Sequence, residues 1–227
     1  MNYAFFRQLV DLAEAFEAQH PTGQGPDDMA AFATWLHTRT AAPPDATPVT
    51  RTQAHPAEFD ESRISKLITF MYRYARGYMR LALEGSPLLS YDDFSYLVTV
   101  YGQQPLTKTE VIVRNIHEKP TGTEILKRLL RQGLLVEQAH ETDRRSKLLT
   151  ITDAGRQVLF RLFGRMGQVA HIVAGTLEPA ERKQLLYLLL KLDTFHHDIF
   201  LNDRSQTFEE LLRNRFPDLP APDAPRG

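Results

Sequence analysis

Leu106-Thr107-Lys108-Thr109-Glu110, Lys119-Pro120-Thr121-Gly122-Thr123-Glu124, Gly133-Leu134-Leu135-Val136-Glu137 and Asp143-Arg144-Arg145-Ser146-Lys147-Leu148-Leu149-Thr150-Ile151-Thr152 follow one another between Leu106 and Gly155, and their order decides the fold. Thr107 with Glu110, and Thr121 with Glu124, carry the spacing of a capping box. In that motif the threonine hydroxyl accepts from the backbone amide three residues on, and the glutamate reaches back. The pattern predicts one helix opening at Thr107 and a second running from Thr121 to Gln132, with the turn over residues 115–119. Gly133 follows the second helix where a left-handed stop is wanted. Two short apolar strands come next, 134–137 and 147–151, joined by a polar loop with cations at its tip.

Helix, turn, helix and basic hairpin make a winged helix-turn-helix. A helix of this kind enters a major groove while the hairpin reaches the neighbouring backbone or minor groove. The expected fold class is mainly α with a small β-wing. Lys119, Thr121 and Thr123 stand at the start of the candidate recognition helix, where free amides favour phosphate and short polar side chains meet base edges. Thr107, Lys108, Lys127, Arg128, Arg131 and Lys147 are candidates for flanking DNA contacts, the cations for backbone phosphates. At the tip, Asp143 braces one of Arg144 and Arg145 while the other reaches a narrow, electronegative minor groove.

Working outward, residues 2–19 read as a helix with Phe5, Leu9, Leu12 and Phe16 at helical spacing, closed by Pro21-Thr22-Gly23. A short helix follows Asp27-Asp28, with Met29, Phe32 and Leu36 on one side and Trp35 beside them. Residues 41–56 hold four prolines among Ala and Thr, a linker composition. A long helix is expected over 60–83, Ser90 is placed to cap the next, Thr152-Asp153 starts another, Pro179 begins the last long one, and Thr207 with Glu210 opens a short one. From Pro217 the tail is rich in Pro, Asp and Ala, the composition of an unstructured end.

The chain has 227 residues, enough for one or two domains, and a net charge of −1. That balance argues against a wholesale basic nucleic-acid binder, but the charge is uneven. Residues 107–150 hold nine Lys/Arg against six Asp/Glu, whereas residues 1–58 hold three against seven. A local positive module on a neutral chain suits a protein that meets DNA with one face. There is no cysteine, which removes disulfides, thiolate metal sites and cysteine nucleophiles together. The first turns carry Arg7, Asp11 and Glu14, unlike a secretory segment, and the apolar run 185–190 is too short to span a bilayer. A cytoplasmic location, no membrane partner and no cofactor are expected.

The stretch Leu129-Leu130-Arg131-Gln132-Gly133-Leu134-Leu135, then Asp143-Arg144-Arg145, then Leu149-Thr150-Ile151-Thr152-Asp153-Ala154-Gly155 resembles the recognition-helix end, wing and following helix of MarR-type winged-helix transcriptional regulators. The resemblance implies a homodimer built from terminal helices, two lobes reading a pseudo-palindromic operator in double-stranded DNA, and action chiefly as a repressor. It also implies Arg145 in a minor groove with Asp143 as its partner, and a small aromatic ligand between the dimer and DNA-binding regions. The corresponding division is an extension over 1–58, a core over 59–202 and a short helix and tail over 203–227. Within the core the winged helix spans about 90–152, and the dimerisation helices span 60–84 and 153–202. Residues 1–58 are extra to that pattern, Glu124 and Gly122 depart from it, and a thiol switch is unavailable.

Tyr72, Tyr74 and Tyr78 on the long helix are candidate ligand-pocket residues, although aromatic stripes also serve as core or dimer contact. Asp193 and His197 lie four apart on a helix beside His196, but no third ligand accompanies them, so no metal site is assigned. No convergent acid, base and nucleophile occurs, so an enzyme is not expected. The alternative is a winged-helix protein-interaction module without sequence-specific DNA binding.

Overall fold

The computed structural model describes residues 3–19, 29, 31–33, 35–36, 59–139, 147–204 and 206–219. The proline-rich segment 41–56, the wing tip with Asp143, Arg144 and Arg145, and the tail from 220 lie outside the described residues. The chain divides into two compact units, Met1–Phe59 and Asp60–Gly227.

In the first unit, helix α1 spans Tyr3–Gln19, and residues 29, 31–33, 35 and 36 are helical. Phe16 is buried and meets Phe32 and Trp35 edge-on, with ring centroids 5.4 and 5.6 Å away. Trp35 Nε1 donates to Gln19 Oε1 at 3.1 Å, giving the indole its polar partner.

In the second unit the order is α2 (Asp60–Leu83), α3 (Tyr91–Gln103), β1 (Leu106–Thr107), α4 (Lys108–Arg114), α5 (Lys119–Arg131), β2 (Leu135–Ala139), β3 (Lys147–Ile151), α6 (Asp153–Ala174), α7 (Pro179–Asn202) and α8 (Phe208–Arg215). The strands form an antiparallel sheet in the order β1-β3-β2. Leu135 pairs with Ile151, Glu137 with Leu149, and Leu106 with Leu149 from the other side. Alternation along β3 buries Leu149 and Ile151, as a strand with one face on a core must. Strand β1 carries no periodic signal in its two residues and is an addition to the two expected strands.

Local signals set most helix starts. Ser90 and Asp93 cap each other across the start of α3, Thr107 and Glu110 do so at α4, and Thr207 and Glu210 at α8. Thr152 Oγ1 accepts from Gly155 N at 3.0 Å. The second expected capping box does not form. Helix α5 begins at Lys119, its N-cap Glu118 makes no side-chain cap bond, and Pro120 sits in the first turn. Proline suits that position because its missing N–H has no intrahelical partner to lose. Thr121 is therefore inside the helix and exposed, and Thr123 Oγ1 donates to Lys119 O at 2.6 Å.

The core lies where α3, α5, α6 and the sheet meet, with Tyr96, Leu97, Leu126, Leu129, Leu149 and Leu159 fully buried. Two glycines permit this approach. A Cβ on Gly155 would strike the carbonyl of Leu134 and come 2.7 Å from Ile151 Cγ1. The same junction is tied by Thr152 N to Leu134 O at 3.1 Å and Thr152 Oγ1 to Gly133 O at 2.7 Å. The Gly133-Leu134 and Thr152–Gly155 stretches, distant in sequence, thus meet in space. A Cβ on Gly122 would lie 2.5 Å from Ile112 Cγ1 and 2.6 Å from the Tyr96 hydroxyl. Gly122, unfavourable by helix propensity, is the point at which α5 seats on α3 and α4. Gly122→Ala is expected to destabilise the fold by about 1–3 kcal/mol through overpacking, against a propensity gain of about 1 kcal/mol. Urea unfolding measures it, and a more stable variant would show that Ile112 yields freely.

Candidate nucleic-acid interface

The turn between α4 and α5 is held from beneath. Asn115 Nδ2 donates to Val111 O at 2.8 Å and to Thr99 Oγ1 at 3.1 Å, and Ser95 Oγ donates to Asn115 Oδ1 at 2.6 Å. Ile116 occupies the left-handed region at φ 55°, a strained setting for a β-branched residue. His117 Nδ1 lies 3.0 Å from the Tyr96 hydroxyl. Burial, followed by the negative charge of Asp92, pushes the Tyr96 hydroxyl up to about 12. It therefore stays protonated as a hydrogen-bonding group.

Helix α5 buries Gly122, Ile125, Leu126 and Leu129. Its outward face carries Lys119, Thr121, Glu124, Lys127 and Arg131, all exposed. Lys127 Nζ lies 2.7 Å from Glu124 Oε1, and that bond holds the Glu124 carboxyl below its ordinary range. Both side chains are largely in water, so the pair is weak and a phosphate can draw Lys127 away.

Arg128 is placed differently from the sequence expectation. Its guanidinium turns inward, with Nε 3.0 Å and Nη2 2.5 Å from Asp93 Oδ1. The Asp93 carboxylate is fully buried and also accepts from the amides of Leu89 at 2.7 Å and Ser90 at 3.3 Å. Arg128 is therefore a strut between α5 and the start of α3, not a free phosphate ligand. The partner that captures it stands 35 positions earlier.

At the base of the wing, Glu137 Oε1 meets Lys108 Nζ at 2.5 Å, and its Oε2 meets Lys147 Nζ at 2.6 Å. One carboxylate thus gathers two of the expected DNA-contacting cations at the base of the wing. Hydrogen bonds from Lys108 and then Lys147 hold the Glu137 carboxyl below its usual 4.5. A depressed folded-state value stabilises the fold above pH 4.5, and the contribution is lost as pH falls through the lower folded value. Where Lys108 and Lys147 meet DNA as expected, Glu137 is a competitor to phosphate for both lysines. Glu137→Gln is expected to tighten DNA binding roughly threefold or more and to steepen its salt dependence. Titration by fluorescence anisotropy at several salt concentrations checks this, and weaker binding would mean that Glu137 positions the lysines rather than restraining them.

Tyr72, Tyr74 and Tyr78 do not line the cleft seen beside α6. That cleft, of about 300 Å³, is walled by Glu84, Ser86, Pro87, Val158, Arg161 and Arg165. It opens at the α2–α3 turn, beyond the turns of α2 that bear the tyrosines. Arg165 Nη1 spans its rim, donating to Ala82 O at 3.1 Å and Glu84 O at 2.8 Å. Tyr72 and Tyr74 are exposed and Tyr78 is half-buried. His196 packs on Phe195 and His197 on Phe200. Among the described residues no three His, Asp or Glu side chains gather as a metal site, and no helix is long and apolar enough to cross a membrane.

Residues 89–155 match the model of a winged helix DNA-binding domain, the segment from the Ser90 cap to the Gly155 junction. The chain has the winged-helix fold of MarR-type transcriptional regulators. BpsR of Bordetella bronchiseptica aligns at 24% identity and TM-score 0.54, over 58% of this chain and 98% of its own. A MarR transcriptional regulator from Methanosarcina mazei aligns at 20% identity and TM-score 0.55, over 60% and 98%. PcaV of Streptomyces coelicolor, in complex with its natural ligand, aligns at 20% identity and TM-score 0.52, over 63% and 98%. Each of these structures is matched almost whole by roughly three-fifths of this chain. None of the curated proteins matches the chain in sequence.

Proposed function

We propose that this protein is a homodimeric, sequence-specific DNA-binding transcriptional regulator that represses by occupying a pseudo-palindromic operator in the cytoplasm. The observation that carries the reading is the exposed polar and basic face of α5, with Lys119, Thr121, Lys127 and Arg131, in a winged helix whose wing base gathers Lys108 and Lys147 on Glu137. Helix α5 lies in a major groove with its N-terminal residues toward base edges, and the lysines contact flanking phosphates. Thr107, Thr123 and the tip residues Asp143, Arg144 and Arg145 belong to the same proposed surface, Arg145 entering the minor groove. Arg128 acts from behind, through Asp93.

Dimerisation is supported by the surface of α7, in which no residue is buried although Leu185, Leu188, Leu189 and Leu192 line one stripe and Leu186 and Leu190 stand exposed on another side. A helix apolar on more than one side, standing open in a single protomer, is completed by a partner. Along α2, Ile64, Leu67, Ile68 and Met71 are exposed in the same way, and Tyr72 and Tyr74 extend that surface. Relief by a small aromatic ligand belongs to this reading. BpsR's DNA binding is regulated by 6-hydroxynicotinic acid, and the cleft under Arg161 and Arg165 offers cations to a carboxylate.

Selection from random-sequence DNA, followed by affinity against salt on the enriched site, tests the proposal. The expected result is an inverted repeat with half-sites about one helical turn apart and a steep negative salt slope. No enrichment above non-specific binding would move the protein-interaction reading to first place.

A further inference from the structure

The last residues of α7 and the helix after it form a clasp whose outcome is the placement of one arginine. Helix α8 folds back on the end of α7. Arg215 binds the carboxylates of Asp203 and Asp198, the latter at 2.6 Å, and Phe216 meets Phe195 at 5.8 Å. Asp203 also accepts from Gln206 Nε2 at 2.9 Å, while its own amide donates to Ile199 O at 2.8 Å. The backbone where α7 ends is thus fixed from both sides, and Arg204 projects from it.

Arg204 reaches the beginning of α5, 86 residues earlier. Its Nε donates to Glu118 Oε1 at 3.1 Å, and Nη2 lies 2.6 Å from the same oxygen. Nη2 also donates to His117 O at 3.3 Å, and Cζ stands 4.4 Å from the Phe200 ring centroid. Glu118 is the N-cap of α5 but gives no side-chain cap bond, its carboxylate being turned to Arg204 instead. A helix start is where phosphate is attracted by free amides and the helix dipole. An uncompensated carboxylate at that point repels it.

We propose that Arg204 is a positioning residue for DNA recognition: it clamps Glu118 and the His117 carbonyl, cancels the negative charge at the start of α5, and ties the end of α7 to the recognition helix. The proposal rests on α5 being the helix that meets DNA. A guanidinium suits the role because its planar fork holds carboxylate and carbonyl in one geometry, which an ammonium does not.

The test is a double-mutant cycle on the full chain with Arg204→Ala and Glu118→Gln, read as affinity for the selected site and for unrelated DNA at fixed salt. Arg204→Ala is expected to weaken binding to the selected site about tenfold or more, and unrelated DNA by less, because orientation is lost along with charge. In the Glu118→Gln background the same change should cost less than about threefold, and Arg204→Lys should recover part of the loss. Equal losses in both backgrounds would overturn the clamp, leaving a distant charge effect. An independent readout needs no DNA. Amide exchange at Gly122, whose N–H donates to Glu118 O at 2.9 Å, should speed up several-fold in Arg204→Ala with the melting temperature little changed. Unchanged exchange would overturn the clamp whether or not the protein binds DNA, whereas faster exchange without any DNA binding by the wild type would overturn the functional reading alone.

Discussion

Asp93→Ala is expected to remove about 3–5 kcal/mol of folding stability, the range seen when one partner of a buried ion pair is deleted. The Asp93 side chain is fully buried, and its two oxygens take the Arg128 guanidinium and the amides of Leu89 and Ser90. A carboxylate offers about four acceptor sites, so little of its capacity is left over. Alanine would leave a half-buried cation and two helix-start amides without partners, each a desolvation cost with no compensation. Against a typical total of about 5–15 kcal/mol, the variant would be marginally stable. Asp93→Asn should fall between, because an amide oxygen still accepts but holds no charge for Arg128. Urea denaturation followed by circular dichroism gives both values. A loss below about 1 kcal/mol would mean that Arg128 swings into water at little cost, so that the pair behaves as a surface bridge. The functional consequence would follow from geometry, since this strut sets the angle of α5 on α3. Arg128→Ala should weaken DNA binding through a misplaced helix rather than through a lost phosphate contact.

What could be read from the chain in advance divides along the range of the interaction. The caps at Ser90, Thr107, Thr152 and Thr207, and Pro179 at the start of α7, are signals that satisfy themselves within three or four residues. Gly133 stops α5 at φ 69° for the same kind of reason. The box at Thr121 and Glu124 has the same spacing and fails, because Pro120 is better used one step earlier and the helix starts at Lys119. The partners of the charged residues were not legible, since they are chosen by the fold. Arg128 finds Asp93, Lys108 and Lys147 share Glu137, and Arg204 finds Glu118, over separations no periodicity encodes. Gly122 shows the limit most clearly. Propensity marks it as a weak point in a helix, whereas packing against Ile112 and Tyr96 leaves no room for a side chain there.

Leu189→Asp is expected to convert the protein from dimer to monomer and to lower its affinity for a full inverted repeat by about 100-fold or more. Leu189 is 46% exposed in the single protomer, and Leu185, Leu188 and Leu192 continue the stripe above and below it. Completing the burial of each such side chain, already more than half covered, contributes about 1 kcal/mol. Because a stable interface needs about 800 Å² per partner, the leucine stripe needs the exposed apolar face of α2 in the same interface. Aspartate is the decisive replacement because it is too short to carry its charge out to water as lysine does. Leu189→Ala controls for lost packing without a buried charge. The expected mass falls from twice 26.0 kDa to 26.0 kDa by light scattering. Affinity for an isolated half-site should stay within a few-fold, because the charge lies on α7 and the reading surface on α5. The full-site loss then measures the effective concentration that one lobe confers on the other, on the order of millimolar for linked modules. If Leu189→Asp remains a dimer, the copies meet through another face. If it becomes a monomer and still holds the full site as tightly, the two half-sites are read independently, and dimerisation serves stability rather than recognition.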